Sequence, residues 1–183
     1  MLPTFLNPNN GGLAEAVVQV SPPTAFRHLR GRLRNVDLGS WTRTDVAPPK
    51  RASQRRGLSY EKRIHAALRR QYEYRYHESQ VIHFLDDGGE GIAVPDGMIK
   101  DAETVVIIEV KHQHMPESWW QLRRKYEPLV RALWPEMQVI LLEICRSLDR
   151  QMPYPEAFEL VEDIDNWILN ADDGALGVMQ WRL

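Results

Sequence analysis

An acid and a base follow the most apolar run of this sequence. The β-branched residues 105–108 come directly before Glu109, Val110 and Lys111, and such a run predicts a buried strand over residues 104–113. Because side chains two residues apart on a strand point to the same face, Glu109 and Lys111 share one face and Val110 points to the other. A carboxylate and an ammonium group at the end of a buried strand are costly unless they pair, bind a metal ion or bind a ligand.

A second acid is predicted to lie beside this pair. Residues 91–99 have the pattern of a neighbouring strand that is interrupted at Pro95 and Asp96, and residues 101–103 have the composition of a turn. The two strands therefore form a hairpin. We expect this hairpin to bring Asp96 next to Glu109.

This arrangement of Asp96, Glu109 and Lys111 resembles the PD-(D/E)XK nuclease superfamily. The resemblance covers residues 57–146, and a helix that carries Glu61 precedes the three residues as in many members. The spacing between Asp96 and Glu109, thirteen residues, is close to that of the archaeal Holliday-junction resolvases. The resemblance implies an α/β fold with a restriction-endonuclease-like three-layer core, in which a mixed central β-sheet is flanked by helices.

The resemblance also implies a divalent metal ion. Asp96 and Glu109 would bind Mg²⁺ directly, with the carbonyl of Val110 as a possible third ligand, and Mn²⁺ would substitute because both ions accept hard oxygen ligands. Glu61 would bind a second ion or hold a metal-bound water. A structural ion-pair cluster at the end of the sheet is the alternative interpretation.

Two further residues of the same strand have roles in this hypothesis. Lys111 would orient or deprotonate the attacking water, or stabilise developing negative charge. Gln113 lies on the Lys111 face and would contact the phosphate or the scissile strand.

The remaining elements follow from hydrophobic periodicity and breaker residues. We divide the chain into a Pro-rich basic N-terminal arm (1–56), the nuclease core (57–150) and an acidic C-terminal helix and tail (151–183). The core is predicted to contain a helix over 60–74 capped by Ser59, a strand over 79–85, a helix over 119–133 that Pro128 interrupts, and a strand over 137–145 parallel to the strand over 104–113. An amphipathic helix over 155–170 and a last strand within 174–183 complete the expected elements.

Charge is divided unevenly along the chain. Residues 1–56 contain nine basic and three acidic residues, and residues 151–183 contain one basic and seven acidic residues, within a net charge of −2. The net charge therefore neither supports nor excludes nucleic acid, and local clusters carry the argument. The candidate DNA contacts are Arg55, Arg56, Arg123, Arg124 and Lys125. Trp119 and Trp120 precede the second cluster, and we expect them to pack in the core, with base stacking as the alternative.

Two other patterns are weaker. Gln121 and Tyr126 resemble in type the glutamine and tyrosine that follow the metal-binding strand in RecB-like members of the superfamily. Here they stand five residues apart, which moves them off a common face of an α-helix. His112 and His114 lack the additional ligands that a zinc site needs.

These residues predict a metal-dependent DNA nuclease, an endonuclease acting on branched, replicating or packaged phage DNA. An exonuclease that trims DNA ends would use the same residues. A structural or connector component of a phage virion, or a DNA-binding module without cleavage, are the competing functions.

We expect DNA as partner, and a homo-oligomer or neighbouring subunits of an assembly. We expect no membrane, because no run of about 18 apolar residues occurs. One cysteine and no leader pattern are typical of a cytoplasmic protein, here of the host cytoplasm or the virion.

Overall fold

The computed structural model describes residues 27–39, 51–149 and 153–183. The strands in these ranges are β1 (Asn35–Gly39), β2 (Tyr76–Glu78), β3 (Val81–Asp86), β4 (Gly89–Ala93), β5 (Gly97–Lys100), β6 (Thr104–Gln113), β7 (Gln138–Ser147), β8 (Glu159–Leu160) and β9 (Leu176–Gln180). The helices are α1 (Ala52–Tyr72), α2 (Pro116–Gln121), α3 (Glu127–Leu133) and α4 (Ile164–Asn170). A 3₁₀ turn at Glu73–Arg75 follows α1, and a π-helical turn at Leu122–Tyr126 joins α2 to α3.

A mixed six-stranded sheet forms the centre of the molecule, in the order β2-β5-β6-β7-β9-β8. Neighbouring strands in the part β6-β7-β9-β8 are parallel. On the other side of β6, β5 pairs with β6 and β2 pairs with β5, both in antiparallel fashion. Parallel strands are covered on both faces, which explains the long apolar runs of β6 and β7. The predicted bounds of β6 and its parallel pairing with β7 are confirmed. The predicted last strand is β9.

Alternation along β6 divides the core into two layers. Val106, Ile108 and Val110 pack on the side of α1, and Val105 and Ile107 pack on the side of α2 and α3. The chain is therefore an α/β protein whose mixed sheet is flanked by helices, an arrangement compatible with a three-layer core.

The hairpin that positions the predicted site consists of β5 and β6. Gly97 pairs with Ile108 across it, and the Asp101 side chain accepts a hydrogen bond of 2.9 Å from the Thr104 N–H in its turn. Upstream, β4 pairs with β3 in a separate three-stranded sheet of order β1-β3-β4. The predicted break at Pro95 and Asp96 is thus the point where the chain leaves the smaller sheet and enters the larger one.

The first helix begins earlier than predicted. α1 begins at Ala52, so Ser59 lies inside the helix and the prediction that it caps the helix is wrong. The N-terminal turn closes instead through the Arg51 N–H, which donates to Gln54 Oε1 at 3.2 Å. Gly57 lies in an open part of this helix, where glycine costs about 1 kcal/mol relative to alanine. Burial of Tyr60, Ile64 and Leu68 at helical spacing outweighs that cost.

The acidic C-terminal helix is shorter than predicted. Only residues 164–170 are helical, and the preceding residues 153–163 include the short strand β8. Asp163 caps α4 by accepting a hydrogen bond of 2.7 Å from the Asn166 N–H. Ile164 and Trp167 form the buried face of α4.

Part of the predicted arm packs on the smaller sheet. Arg27 makes hydrogen bonds of 2.6 and 2.8 Å to the two carboxylate oxygens of Asp86, which also accepts from the Arg30 N–H. Asp87 accepts from the Arg32 N–H at 2.7 Å. Residues 1–26 and 40–50, most of the predicted arm, lie outside the described residues. None of the helices in the described ranges is long and apolar enough to cross a membrane.

Candidate active site

Glu109 and Lys111 meet near the end of β6, in the interior of the central sheet. Glu109 is 2% exposed, and Lys111 Nζ lies 2.5 Å from Glu109 Oε1. The lysine side chain is 23% exposed, so its ammonium group is at the border between the core and solvent. The predicted common face of these two residues is confirmed.

Asp96 is brought to the same place by the register of the hairpin. Because Gly97 pairs with Ile108 in antiparallel fashion, the preceding Asp96 lies opposite Glu109. Its Oδ2 accepts a hydrogen bond of 2.7 Å from the Val110 N–H. The prediction that the hairpin brings Asp96 beside Glu109 is confirmed.

Burial raises the pKa of both carboxyl groups. For Glu109 the loss of hydration is the largest cause, the negative charge of Asp96 adds to it, and Lys111 opposes it. For Asp96 burial is again the largest cause, the Val110 N–H opposes it, and the charge of Glu61 adds to it. Burial alone would lower the pKa of Lys111, but Glu109 and Asp96 outweigh burial and raise it. The ionised carboxylates thus need more positive charge than Lys111 supplies.

A divalent cation fits this need. Glu109 Oε2 is buried and makes no hydrogen bond to any residue that the structure describes, although such an oxygen ordinarily has a partner. Within the described ranges, no three or more His, Cys, Asp or Glu side chains form a group that could hold a metal ion. The acids Asp96 and Glu109 are therefore the two protein ligands that a metal ion would have at this site. Mg²⁺ binds in this way, through one or two carboxylates while it keeps several waters.

Glu61 lies at the margin of this pair, on α1. Its Oε1 is 3.5 Å from His65 Nε2, and its side chain is 34% exposed. The other ring nitrogen of His65 is 2.5 Å from the Tyr76 hydroxyl. His65 is itself buried. Since the charge of Glu61 acts on Asp96, Glu61 is near the site, and its role as a metal ligand stays a prediction.

Val110 and Gln113 are the remaining predicted site residues on β6. The Val110 side chain packs in the layer beneath α1, and its N–H is the group that holds Asp96. Gln113 is the last residue of β6, exposed, and opposite Ser147 on β7. The carbonyl ligand role of Val110 and the phosphate contact of Gln113 stay predictions.

The π-helical turn brings Gln121 and Tyr126 together. The expectation that a five-residue spacing separates them is wrong, because the Glu127 N–H bonds the carbonyl of Leu122, five residues back, and this widened turn absorbs the extra residue. The Tyr126 hydroxyl donates to the Val94 carbonyl at 3.2 Å. Burial raises the pKa of Tyr126, the charges of Glu109 and Asp96 add to this, and a hydrogen bond from the Gln121 side chain opposes it.

Lys125 is a further residue near the site, and the sequence indicated it only as a surface cation. Its side chain is buried, and this burial lowers its pKa to about 8, against the opposing charge of Glu109. Pro128, which lacks an N–H, was the local signal that the helix is irregular here. That signal does not reveal which side chains the irregular turn directs inward.

A second buried glutamate, Glu143, was missed. It lies opposite Glu109 in the parallel register of β7. Its Oε2 is 2.7 Å from His114 Nδ1 and accepts a hydrogen bond from the Tyr154 hydroxyl. An acid inside the otherwise apolar run of residues 139–145 was the available signal.

The predicted DNA contacts on α1 belong to a longer basic surface. Arg55 and Arg56 are exposed, and basic pairs recur every seven residues at Arg55 and Arg56, Lys62 and Arg63, and Arg69 and Arg70. Seven residues are almost two helical turns, so the pairs share one face. That face lies opposite the buried residues of the helix. The later pairs were missed, although their spacing is visible in the sequence.

The second predicted cluster is divided by the structure. Arg123 donates to Glu127 and to Glu156, Lys125 is buried, and Arg124 is exposed with its guanidinium carbon 5.5 Å from the Trp119 ring centroid. The expectation of core packing holds for Trp119 but is wrong for Trp120, which is 48% exposed.

Comparison of the chain with family models, with curated proteins and with solved structures gives no match.

Proposed function

We propose that this chain is a Mg²⁺-dependent deoxyribonuclease of the PD-(D/E)XK type, an endonuclease that hydrolyses phosphodiester bonds in branched, replicating or packaged DNA. The observation that carries the proposal is the meeting of Asp96, Glu109 and Lys111 near the end of β6. Glu109 Oε2 is buried there without a hydrogen bond to any described residue. In this proposal the α/β core is restriction-endonuclease-like.

The charge of the site favours a metal-dependent reaction over a purely structural cluster. When ionised, Glu61, Asp96 and Glu109 carry three negative charges. Lys111 and Lys125 supply two positive charges close to them. A phosphate group would be repelled by this excess of negative charge. A bound divalent ion would offset this excess, lower the pKa of the attacking water and neutralise charge on the phosphate.

Each residue of the site has a role in this proposal. Asp96 and Glu109 hold the ion, and the Val110 N–H keeps Asp96 in place through its 2.7 Å hydrogen bond. Lys111, at the solvent border, orients the attacking water or stabilises negative charge on the phosphate. Glu61 is positioned by His65 to hold a water at the margin.

The test is a cleavage assay of the purified protein on supercoiled, linear duplex, single-stranded and branched DNA, with Mg²⁺ or Mn²⁺ and with EDTA. We expect metal-dependent cleavage that Lys111→Ala and Asp96→Ala each reduce by at least about 100-fold. Circular dichroism checks that both variants remain folded.

Matched controls are available on neighbouring strands. Lys100→Ala removes a lysine at the far end of β5, where it lies over the Trp134 ring, and Asp37→Ala removes an exposed acid of β1. Both are expected to cleave like the wild-type protein. Absence of metal-dependent cleavage of every substrate by wild-type protein would reject the nuclease proposal.

A further inference from the structure

A cavity of about 1230 Å³ opens beside the site, between residues 28–33 and the face of α2 and the π-helical turn. Its walls include His28, Trp120, Gln121, Arg124, Lys125 and Tyr126. Pockets for small molecules are about 300–1,000 Å³, so this one has room for a ligand of several linked units. We call it the Trp120 groove.

The groove offers an aromatic surface next to a cation. Trp120 is 48% exposed, and the edge of its ring system packs against Trp119, with centroids 5.0 Å apart and planes at 83°. The Arg124 guanidinium carbon lies 5.8 Å from the Trp120 ring centroid. An indole that is held by these two neighbours and is still about half exposed offers a surface on which a planar ring stacks.

The groove lies near the carboxylate site. Glu117 lines it and its charge acts on Lys111. Tyr126 lines it too and donates to the Val94 carbonyl, two residues before Asp96. Two walls of the groove are therefore close to the residues of the proposed active site.

The chemistry of the walls selects among forms of nucleic acid. Arg123 is neutralised by Glu127 and Glu156, so the groove has few cations for the phosphates of a duplex. In a duplex the faces of the bases are stacked on one another and are not offered to Trp120. In a single strand every base presents a face, and base–aromatic stacking is worth about 1–3 kcal/mol per base.

We infer that the Trp120 groove binds single-stranded DNA that leaves a duplex at the cleavage site, so the substrate class of this enzyme is DNA with a single-stranded tail or flap. This inference rests on the proposed function for the position of cleavage. Trp120 stacks on a base, and Arg124 contacts the backbone beside it.

Binding is measured first, without metal, so that cleavage has no influence. Fluorescence anisotropy of a labelled oligo(dT), in EDTA, compares the wild-type protein with Trp120→Ala, Trp120→Phe and Arg124→Ala. We expect Trp120→Ala to weaken binding of the single strand by about tenfold, and Trp120→Phe to weaken it less, since phenylalanine keeps an aromatic face. Tyr74→Ala is the matched control, because Tyr74 is 85% exposed in the 3₁₀ turn after α1, does not line the groove, and should bind as wild type.

Cleavage of a flapped duplex and of a blunt duplex is measured second, with Mg²⁺. We expect the wild-type protein to prefer the flapped duplex, and Trp120→Ala to reduce this preference by about tenfold. Equal single-strand binding by wild type and Trp120→Ala, or equal weakening for single strand and blunt duplex, would overturn the inference. The two proposals fail separately. If the protein cleaves DNA but its binding does not depend on Trp120, only the inference about the groove is rejected. If binding depends on Trp120 but no DNA is cleaved, only the nuclease proposal is rejected.

Discussion

Glu109 and Glu143 lie side by side on β6 and β7, in register, and both are buried. Their surroundings differ. Glu143 accepts from His114 and from the Tyr154 hydroxyl, and Ser118 and Met115 lie close enough to lower its pKa against the raising effect of burial. Glu109 has Lys111 as its hydrogen-bond donor and another acid, Asp96, as its neighbour.

The difference separates a structural acid from a candidate functional one. Each glutamate has one oxygen without a well-formed hydrogen bond in the described part of the chain, so that count alone does not distinguish them. What distinguishes them is the charge around them. Glu143 lies among side chains that stabilise it within the fold. Glu109 lies beside a second carboxylate, an arrangement that disfavours ionisation until a cation is added.

The largest expected effect comes from Glu109→Gln, which keeps the shape of the side chain and removes its charge. Metal-dependent cleavage should fall by at least about 100-fold, because a direct ligand of the ion is lost. Stability in EDTA should stay within about 1 kcal/mol of wild type or increase, since one of two neighbouring buried acids becomes neutral. Plasmid cleavage and urea denaturation measure the two effects. If Glu109→Gln cleaves like wild type, Glu109 is a structural acid, as Glu143 is.

Glu143→Ala should reduce stability, whereas Glu109→Gln should reduce cleavage with little loss of stability. Glu143→Ala leaves a cavity and removes the acceptor of His114 and Tyr154, so we expect a loss of about 3 kcal/mol in the free energy of unfolding. Urea denaturation measures this loss. Glu136→Ala is the control, because this exposed glutamate precedes β7, and its substitution should change stability by less than about 0.5 kcal/mol. If Glu143→Ala is as stable as its control, the cluster around Glu143 does not stabilise the fold.

The sequence predicts Glu109 much better than Glu143 because the two sites are built from interactions of different range. Glu109, Lys111 and Asp96 lie in one hairpin, and strand alternation with a short turn places them together. The partners of Glu143 come from residue 114 and from residue 154, in separate segments. A single acid in an apolar strand indicates that a partner exists, but local patterns do not identify it.

The helices, too, depend on tertiary contacts that local sequence patterns do not identify. The unbroken apolar run predicts β6 to the residue, whereas α1 begins eight residues before its predicted start at residue 60, because tertiary burial tolerates Gly57 inside the helix. Pro128 indicates an irregular helix, but the formation of a π-helical turn depends on packing against the sheet. The approach of Gln121 to Tyr126, and the burial of Lys125, follow from that turn and were therefore beyond local sequence patterns.

A third expected effect is a dependence of stability on pH. In the unfolded chain Glu109 has an ordinary carboxyl pKa of 4.5, and in the folded protein its pKa is higher, chiefly because of burial. Between these two pKa values the folded state binds more protons, so the free energy of unfolding falls as pH rises, by up to about 1.4 kcal/mol per pH unit for one group. Asp96, whose pKa is also raised, contributes with the same sign.

Urea denaturation in EDTA between about pH 5 and pH 8 tests this dependence. The measured quantity is the slope for wild type minus the slope for Glu109→Gln, because the subtraction removes the contribution of Glu143, whose pKa is also raised. Mg²⁺ should reduce the wild-type slope, since a bound cation favours both ionised carboxylates, and should leave the slope of the variant nearly unchanged. Equal slopes for wild type and variant in EDTA would mean that Glu109 ionises as easily in the folded protein as in the unfolded chain. The contrast between the two glutamates would then lose its electrostatic basis.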